Sequence, residues 1–229
     1  MGKNKIQRFA ELHTFPNVIE TEFNEVFGKA HPLKGNWHEQ HFKNNNPIVL
    51  ELGCGKGEYT LAMAENFPNK NFIGIDIKGN RIWVGAHKAL SNKLINVCFL
   101  RTRIDFIESF FGPDEVEEIW ITFPDPQPQS NRKRKRLTSP LFLNRYKKFL
   151  KRGGIIHLKT DNELLYSYTL EIIENNHLPL LASTDNLYQS VYRDELAGQV
   201  QTYYENIFLS AGKRIHYLRF TLDGVDSIV

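Results

Sequence analysis

An α/β fold with a mainly parallel sheet, covered by helices on both faces, is predicted by three observations. Short apolar runs alternate with segments of helical period along most of the 229 residues. The runs are continuously apolar rather than alternating, as strands buried on both faces are. Acids also fall at or just after the ends of the runs, at Glu51, Asp76, Asp125 and Asp161, where ligands bind in open α/β sheets. All four are expected to line one crevice.

The elements follow in order. Residues 48–52 (IVLEL) come after an Asn-Asn-Asn-Pro loop and read as a buried strand, with Gly53, Gly55 and Gly57 immediately behind. Residues 58–67 have helical spacing and stop at Pro68; residues 71–77 (NFIGIDI) make the second strand. Ile82, Trp83, Ala86, Ala89 and Leu90 form one face of a helix. Residues 96–100 and 118–123 are the third and fourth strands. Ser139 and Pro140 suit the N-cap and first position of a helix whose stripe is Leu141, Phe142, Tyr146, Phe149 and Leu150, ended by Gly153 and Gly154. A fifth strand at residues 155–158 leads through Asp161 into a helix carrying Leu164, Leu165, Tyr168, Ile172 and Ile173. A weak strand near Leu180, a helix at residues 203–209 closed by Gly212, and a final strand at residues 214–221 complete the chain. Residues 47–229 are read as one domain and residues 1–46 as an extension, partly helical or flexible.

Composition narrows the function. No apolar run approaches the roughly 18 residues of a membrane span, and the first 20 residues lack a signal-type apolar core, so a cytoplasmic protein is expected. Cys54 and Cys98 lack the spacing of a redox pair, and no His, Cys, Asp and Glu cluster suits a metal. His157, Trp37 and Trp83 read as packing residues. The formal net charge of +3 hides a segregation: residues 126–160 hold 11 of the 29 cations and no acid, leaving 18 cations to face all 26 acids. Basic charge gathered in this way suits a polyanion such as RNA, although a solvated basic face has the same composition.

The glycine loop narrows it further. ELGCGKGEYT carries G-x-G-x-G, not the G-x-G-x-x-G whose helix start receives a pyrophosphate. Glu51 beside the loop would repel phosphate but attract an ammonium, and Asp76 stands where a carboxylate accepts from ribose hydroxyls. S-adenosylmethionine fits this set, having an ammonium and a sulfonium and no phosphate; a nucleotide site or a merely tight turn are the other readings.

At this point the chain resembles the bacterial tRNA (guanine-N7)-methyltransferases. The likeness runs through LELGCGKGEYTLAMA, FIGIDIK, FPDPQP, KRLTSPLFLNRYKKFLKRGGIIHLKTDN and TYYE, roughly four-fifths of the chain. It implies a Rossmann-like class I S-adenosylmethionine-dependent fold with a mainly parallel seven-stranded sheet, acting on the variable-loop guanine at position 46 of tRNA, as monomer or homodimer. By position, it implies cofactor binding by Glu51, the three loop glycines, Asp76, Arg103 and Asp125, with Asp125 also catalytic. Substrate contacts fall on Gln129, Asp161, Thr202, Tyr203, Tyr204 and Glu205, and RNA contacts on Asn131, Arg132, Lys133, Arg134, Lys135 and Arg136. Two departures stand out. Gln127 and Gln129 replace the family's usual tryptophan and lysine, and Arg103 stands where an acid or amide is common, so Asp105 is an alternative for that role. A methyltransferase for another RNA or a small molecule, or an RNA-binding relative without activity, are the alternatives.

Guanine N7 bears an in-plane lone pair and no proton, so its methylation needs alignment and electrostatics rather than a base. Cytosine C5 chemistry would need a cysteine at the fourth strand end, which neither Cys54 nor Cys98 supplies, and the N-P-P-Y tetrad of amino methylation is replaced here by F-P-D-P.

Overall fold

The computed structural model describes residues 3–229, with side chains from Ile6 onward. The chain forms two compact units, Met1–Glu115 and Val116–Val229.

In the first unit, β1 (Val18–Glu20), β2 (Ile48–Leu52), β3 (Asn71–Asp76) and β4 (Val97–Arg101) are parallel, in the order β1-β4-β3-β2. Every residue of β2 is buried, as its unbroken apolar run requires, each large aliphatic side chain contributing about 1.5–3 kcal/mol. The helices are α1 (Lys3–Leu12), α2 (Phe23–Val26), α3 (Glu58–Asn66) and α4 (Gly79–Ser91), with a π-helical turn at Trp37–Phe42 and a 3-10 turn at Ile104–Ser109. Helix α4 turns Ile82, Ala86 and Ala89 inward. On it, Trp83 donates its indole N–H to Glu11 of α1 at 2.9 Å, while Arg8 lies 4.5 Å over the indole ring.

Residues expected to form a partly helical or flexible extension contribute β1, which is why eight strands appear among the described residues where seven are expected. Its three half-buried residues are too few for a periodic signal. Further along, Glu115 accepts from the backbone N–H groups of Gly35, Trp37 and Gly112, and Trp37 is fully buried with its indole N–H on Phe110 O.

In the second unit, β5 (Val116–Thr122) and β6 (Leu150–Thr160) are parallel, β8 (His216–Thr221) is antiparallel to β6, and β7 (Leu180–Thr184) is antiparallel to β8. The helices are α5 (Pro140–Tyr146), α6 (Glu163–Asn175), α7 (Leu196–Gln199) and α8 (Tyr203–Ser210), and a 3-10 turn spans Ser130–Lys135. Helix α5 starts at Pro140 as expected but ends at Tyr146. Phe149 and Leu150, expected on its stripe, lead into β6 instead. Gly153 and Gly154 do not close a helix: they lie within β6, where Gly153 has φ +73° and the pairing with β5 shifts register. His157 is a core residue, stacked on Trp120 with centroids 3.8 Å apart and bonded through Nδ1 to the Tyr217 hydroxyl.

Candidate functional site

The first unit builds a binding surface at the carboxyl ends of β2 and β3. Adjacent parallel strands place Glu51 and Asp76 there, with Leu52 paired to Ile75. Asp76 accepts from Gly55 N at 2.9 Å through one oxygen and from Lys78 N at 2.8 Å through the other, locking the glycine turn to the end of β3. The turn is anchored again by Gly53 N and Cys54 N, both on Ile75 O. Gly57 is obligatory for two reasons: its φ is +70°, and a Cβ there would meet the Phe99 ring at 2.5 Å. At Gly53 and Gly55, by contrast, a Cβ would meet nothing within 4 Å, so the turn presents bare backbone to open space that a ligand can use.

Glu51 is 2% exposed, and its Oε2 accepts both the backbone N–H and the hydroxyl of Thr60. It therefore fastens α3 behind the loop and offers a ligand its charge more than its surface. Cys54 is buried, and burial first, then the Glu51 and Asp76 carboxylates, push its thiol well above the ordinary range. A neutral thiol is no nucleophile.

Arg103 is exposed, paired with Asp105 at 3.1 Å, with its guanidinium 5.7 Å from the Phe106 ring. Both Arg103 and Phe106 line a cleft of about 340 Å³ together with Ile77, Arg101, Thr102 and residues of the first 26, including Glu20, Thr21 and Phe23. The N-terminal wall of this cleft was not anticipated from sequence. Ile77, read from sequence as the last residue of the second strand, lies beyond β3 and is 55% exposed on this cleft.

The second unit places Asp125 and Asp161 beyond the carboxyl ends of neighbouring strands β5 and β6, which pair Thr122 with Lys159. Asp125 is exposed and accepts from Gln127 N at 3.0 Å. Its loop is strained, since Phe123 and Gln127 adopt φ of +46° and +45° without being glycine, each at a cost of about 1–3 kcal/mol. Asp161 is ion-paired with Lys213 at 2.5 Å. Asn162 caps α6 by accepting from Leu165 N.

The T-x-x-E motif opens α8. Thr202 and Glu205 form a reciprocal capping box, and Tyr203 and Tyr204 project outward, 59% and 50% exposed. Glu205, expected to touch substrate, is instead fully buried. Its carboxylate accepts from Lys159 Nζ at 2.8 Å and from the Tyr188 hydroxyl at 2.6 Å, because α8 turns its first carboxylate inward onto β6. Lys159, also fully buried, donates in addition to the carbonyls of Ala197 and Val200. Burial pushes the Lys159 ammonium down against the opposing pull of Glu205.

The basic run divides. Gln129 is the exposed N-cap of the Ser130–Lys135 turn, on which Asn131, Arg132, Lys133, Arg134 and Lys135 are all exposed. Arg136, expected among the RNA contacts, is only 2% exposed. Its guanidinium is turned inward onto the backbone carbonyls of Pro126 and Gln127. Among the described residues, no group of three or more His, Cys, Asp and Glu could hold a metal, and no helix is long and apolar enough to cross a membrane.

The solved structures this chain is similar to include the 16S rRNA methyltransferase KamB, at TM-score 0.62 and 16% identity over 83% of this chain and 94% of that one. An antibiotic-related methyltransferase matches at TM-score 0.58 and 18% identity, over 86% and 97%. Fold, glycine turn and strand-end acids together define an S-adenosylmethionine-dependent methyltransferase of Rossmann-like α/β architecture. A family model described as "Putative methyltransferase" matches residues 45–218. Proteins named tRNA (guanine-N(7)-)-methyltransferase are 49% identical in Bacteroides fragilis, over 97% of this chain and 87% of that one, and 50% identical in Christiangramia forsetii, over 96% and 99%. The chain belongs to the tRNA (guanine-N(7)-)-methyltransferase family.

Proposed function

We propose that this chain methylates N7 of the variable-loop guanine at position 46 of tRNA, in the cytoplasm, with Asp125 orienting the base. The observation that carries the reading is an exposed carboxylate held at the end of β5 by its own turn, followed directly by the exposed run of residues 131–135.

When bound, S-adenosylmethionine supplies an electrophilic methyl on its sulfonium. The residues that would hold it are the Gly53 to Gly57 turn, the Asp76 carboxylate toward ribose hydroxyls, and Ile77, Thr102 and Arg103 along the cleft; Glu51 lends negative charge behind the turn. On the acceptor side, Asp125 accepts from the N1 and N2 donors of guanine. This contact holds the ring by the edge away from N7, leaving N7 open to methylation, and offsets the positive charge the purine acquires. No proton is abstracted at N7, so no general base is required. Asp161 and the exposed Tyr203 and Tyr204 are assigned to the tRNA around the extruded base, with Lys213 holding Asp161 in the free protein.

Asp125→Asn tests the reading. The amide loses the charge and sets an N–H against the donor edge of guanine, so formation of 7-methylguanosine on unmodified tRNA should fall about 100-fold or more. Affinity for S-adenosylmethionine should stay within a few-fold. An Asn variant that turns over normally removes Asp125 from this role.

A further inference from the structure

The fifth cation of the basic run behaves unlike the four before it. Arg136 Nε donates to Pro126 O at 3.1 Å and to Gln127 O at 3.3 Å, and its Nη2 donates to Gln127 O at 3.2 Å. The two carbonyls belong to the residues immediately after Asp125, one of them the left-handed Gln127. On its other face the guanidinium lies 4.3 Å from the centroid of the Tyr168 ring, on α6. Next to it, Thr138 is tied to the same helix through Thr169 at 2.8 Å, while Ser139 donates to Arg134 O at 3.1 Å. Arg136 is thus fixed from below by α6 and reaches up to the loop that carries the exposed aspartate.

A residue in the left-handed region keeps that conformation only when its surroundings over-determine it. Here the surroundings are the Asp125 carboxylate on Gln127 N and the Arg136 guanidinium on Gln127 O. Both backbone groups of the strained residue are held at once, one by the aspartate and one by the arginine. We propose that Arg136 is a positioning residue for methyl transfer: it holds the Asp125 loop in the conformation that presents the carboxylate to guanine, and it does not contact tRNA phosphate. This inference rests on the role given to Asp125 above.

Lysine at this position separates the two roles. A phosphate accepts lysine readily as a point charge, whereas two backbone carbonyls and an aromatic face call for a planar, forked, stacking group. Arg136→Lys in the full chain, assayed for 7-methylguanosine on unmodified tRNA and normalised to the fraction that binds S-adenosylhomocysteine, should lose at least tenfold in kcat with the KM for tRNA within twofold. Arg136→Gln should leave the salt dependence of tRNA binding as in the parent, whereas loss of a phosphate contact would lower the slope by about 0.7–0.9. A Lys variant with parental kcat, or a Gln variant with the lowered slope, overturns the proposal, as does a kcat loss that vanishes after normalisation. Should Arg136→Lys fail to fold, Tyr168→Leu decides: it removes the stacking face, keeps every charge, and should lower kcat three- to tenfold, parental turnover overturning the idea. Asp125→Asn run alongside separates the two failures. An active Asn variant beside a slow Arg136→Lys removes Asp125 from its role and leaves the loop, but not that carboxylate, as what Arg136 positions.

Discussion

Lys159→Met tests how the second unit is held together. Lys159 and Glu205 are both fully buried, with Nζ 2.8 Å from Oε1, so solvent screening does not weaken their attraction. Methionine keeps most of the stem and volume but removes the charge and all three donors. Glu205 would remain buried with the Tyr188 hydroxyl and the Thr202 N–H of the capping box as its remaining donors, and the carbonyls of Ala197 and Val200 would lose their donor. Breaking a buried pair from one side costs about 3–5 kcal/mol, because the other charge is left uncompensated. The orphaned carbonyls are part of the same network and are not added separately. Taking about 4 kcal/mol and about 2–4 °C per kcal/mol for a chain of this size, the melting temperature should fall by about 8–16 °C. Thermal unfolding followed by far-ultraviolet circular dichroism measures it. Lys159→Met/Glu205→Leu should recover most of the loss, since an apolar pair of similar volume replaces both charges, less about 1 kcal/mol for the missing cap. A Lys159→Met protein that melts within about 2 °C of the parent would refute the claim that this pair clamps α8 and the α7 segment onto β6.

Two further outcomes follow from the surface and from the histidines. Replacing Arg132, Lys133, Arg134 and Lys135 together with Ala should weaken tRNA binding and flatten its salt dependence by up to about 3.6 units of slope, at roughly 0.7–0.9 per phosphate contact, with kcat at saturating tRNA little changed; an unaltered slope leaves the exposed run without a role. Acidification should destabilise the fold through His216, whose Nδ1 is buried without a hydrogen-bond partner and whose ring stacks on Tyr166 at 4.8 Å. Burial lowers its pKa from 6.5, with Arg214 acting the same way and Glu163, Asp185 and Asp161 opposing; burial likewise lowers His31 against Glu25, and His41 together with Lys43. The unfolded chain therefore takes up protons first, and stability declines as pH falls from about 7 through 6.5 toward the lowered folded values. His216→Phe should make the melting temperature less dependent on pH over that window, and an identical slope in the variant would contradict the assignment.

What could be read in advance from the residues, and what could not, divides along a physical line. The glycine turn was legible because everything that makes it lies within a short stretch or at a fixed strand end: left-handed backbone at Gly57, and a clamp from Asp76 to Gly55 N. The strands β2 to β5 and residues 155–158 of β6 were legible because burial on both faces writes an apolar run, whereas the first residues of β6 carry no such run and read as the end of a helix. The strand β1 was not, since three half-buried residues at an edge carry no period. Nor could the run Arg132 to Arg136 be divided by inspection, because its five cations have the same local chemistry. What singles out Arg136 is Tyr168, a residue of the following helix that becomes its neighbour only when α6 packs. The same holds for Glu205, whose motif suggests a surface contact until α8 docks and turns it onto Lys159. In both places a charge that sequence assigns to the ligand is instead spent on backbone and partner groups inside the protein. The more exposed neighbours, Arg132 to Lys135 in one case and Tyr203 and Tyr204 in the other, stay on the surface. A motif in this chain therefore marks a neighbourhood in which one member anchors and the others remain exposed, and only burial tells them apart.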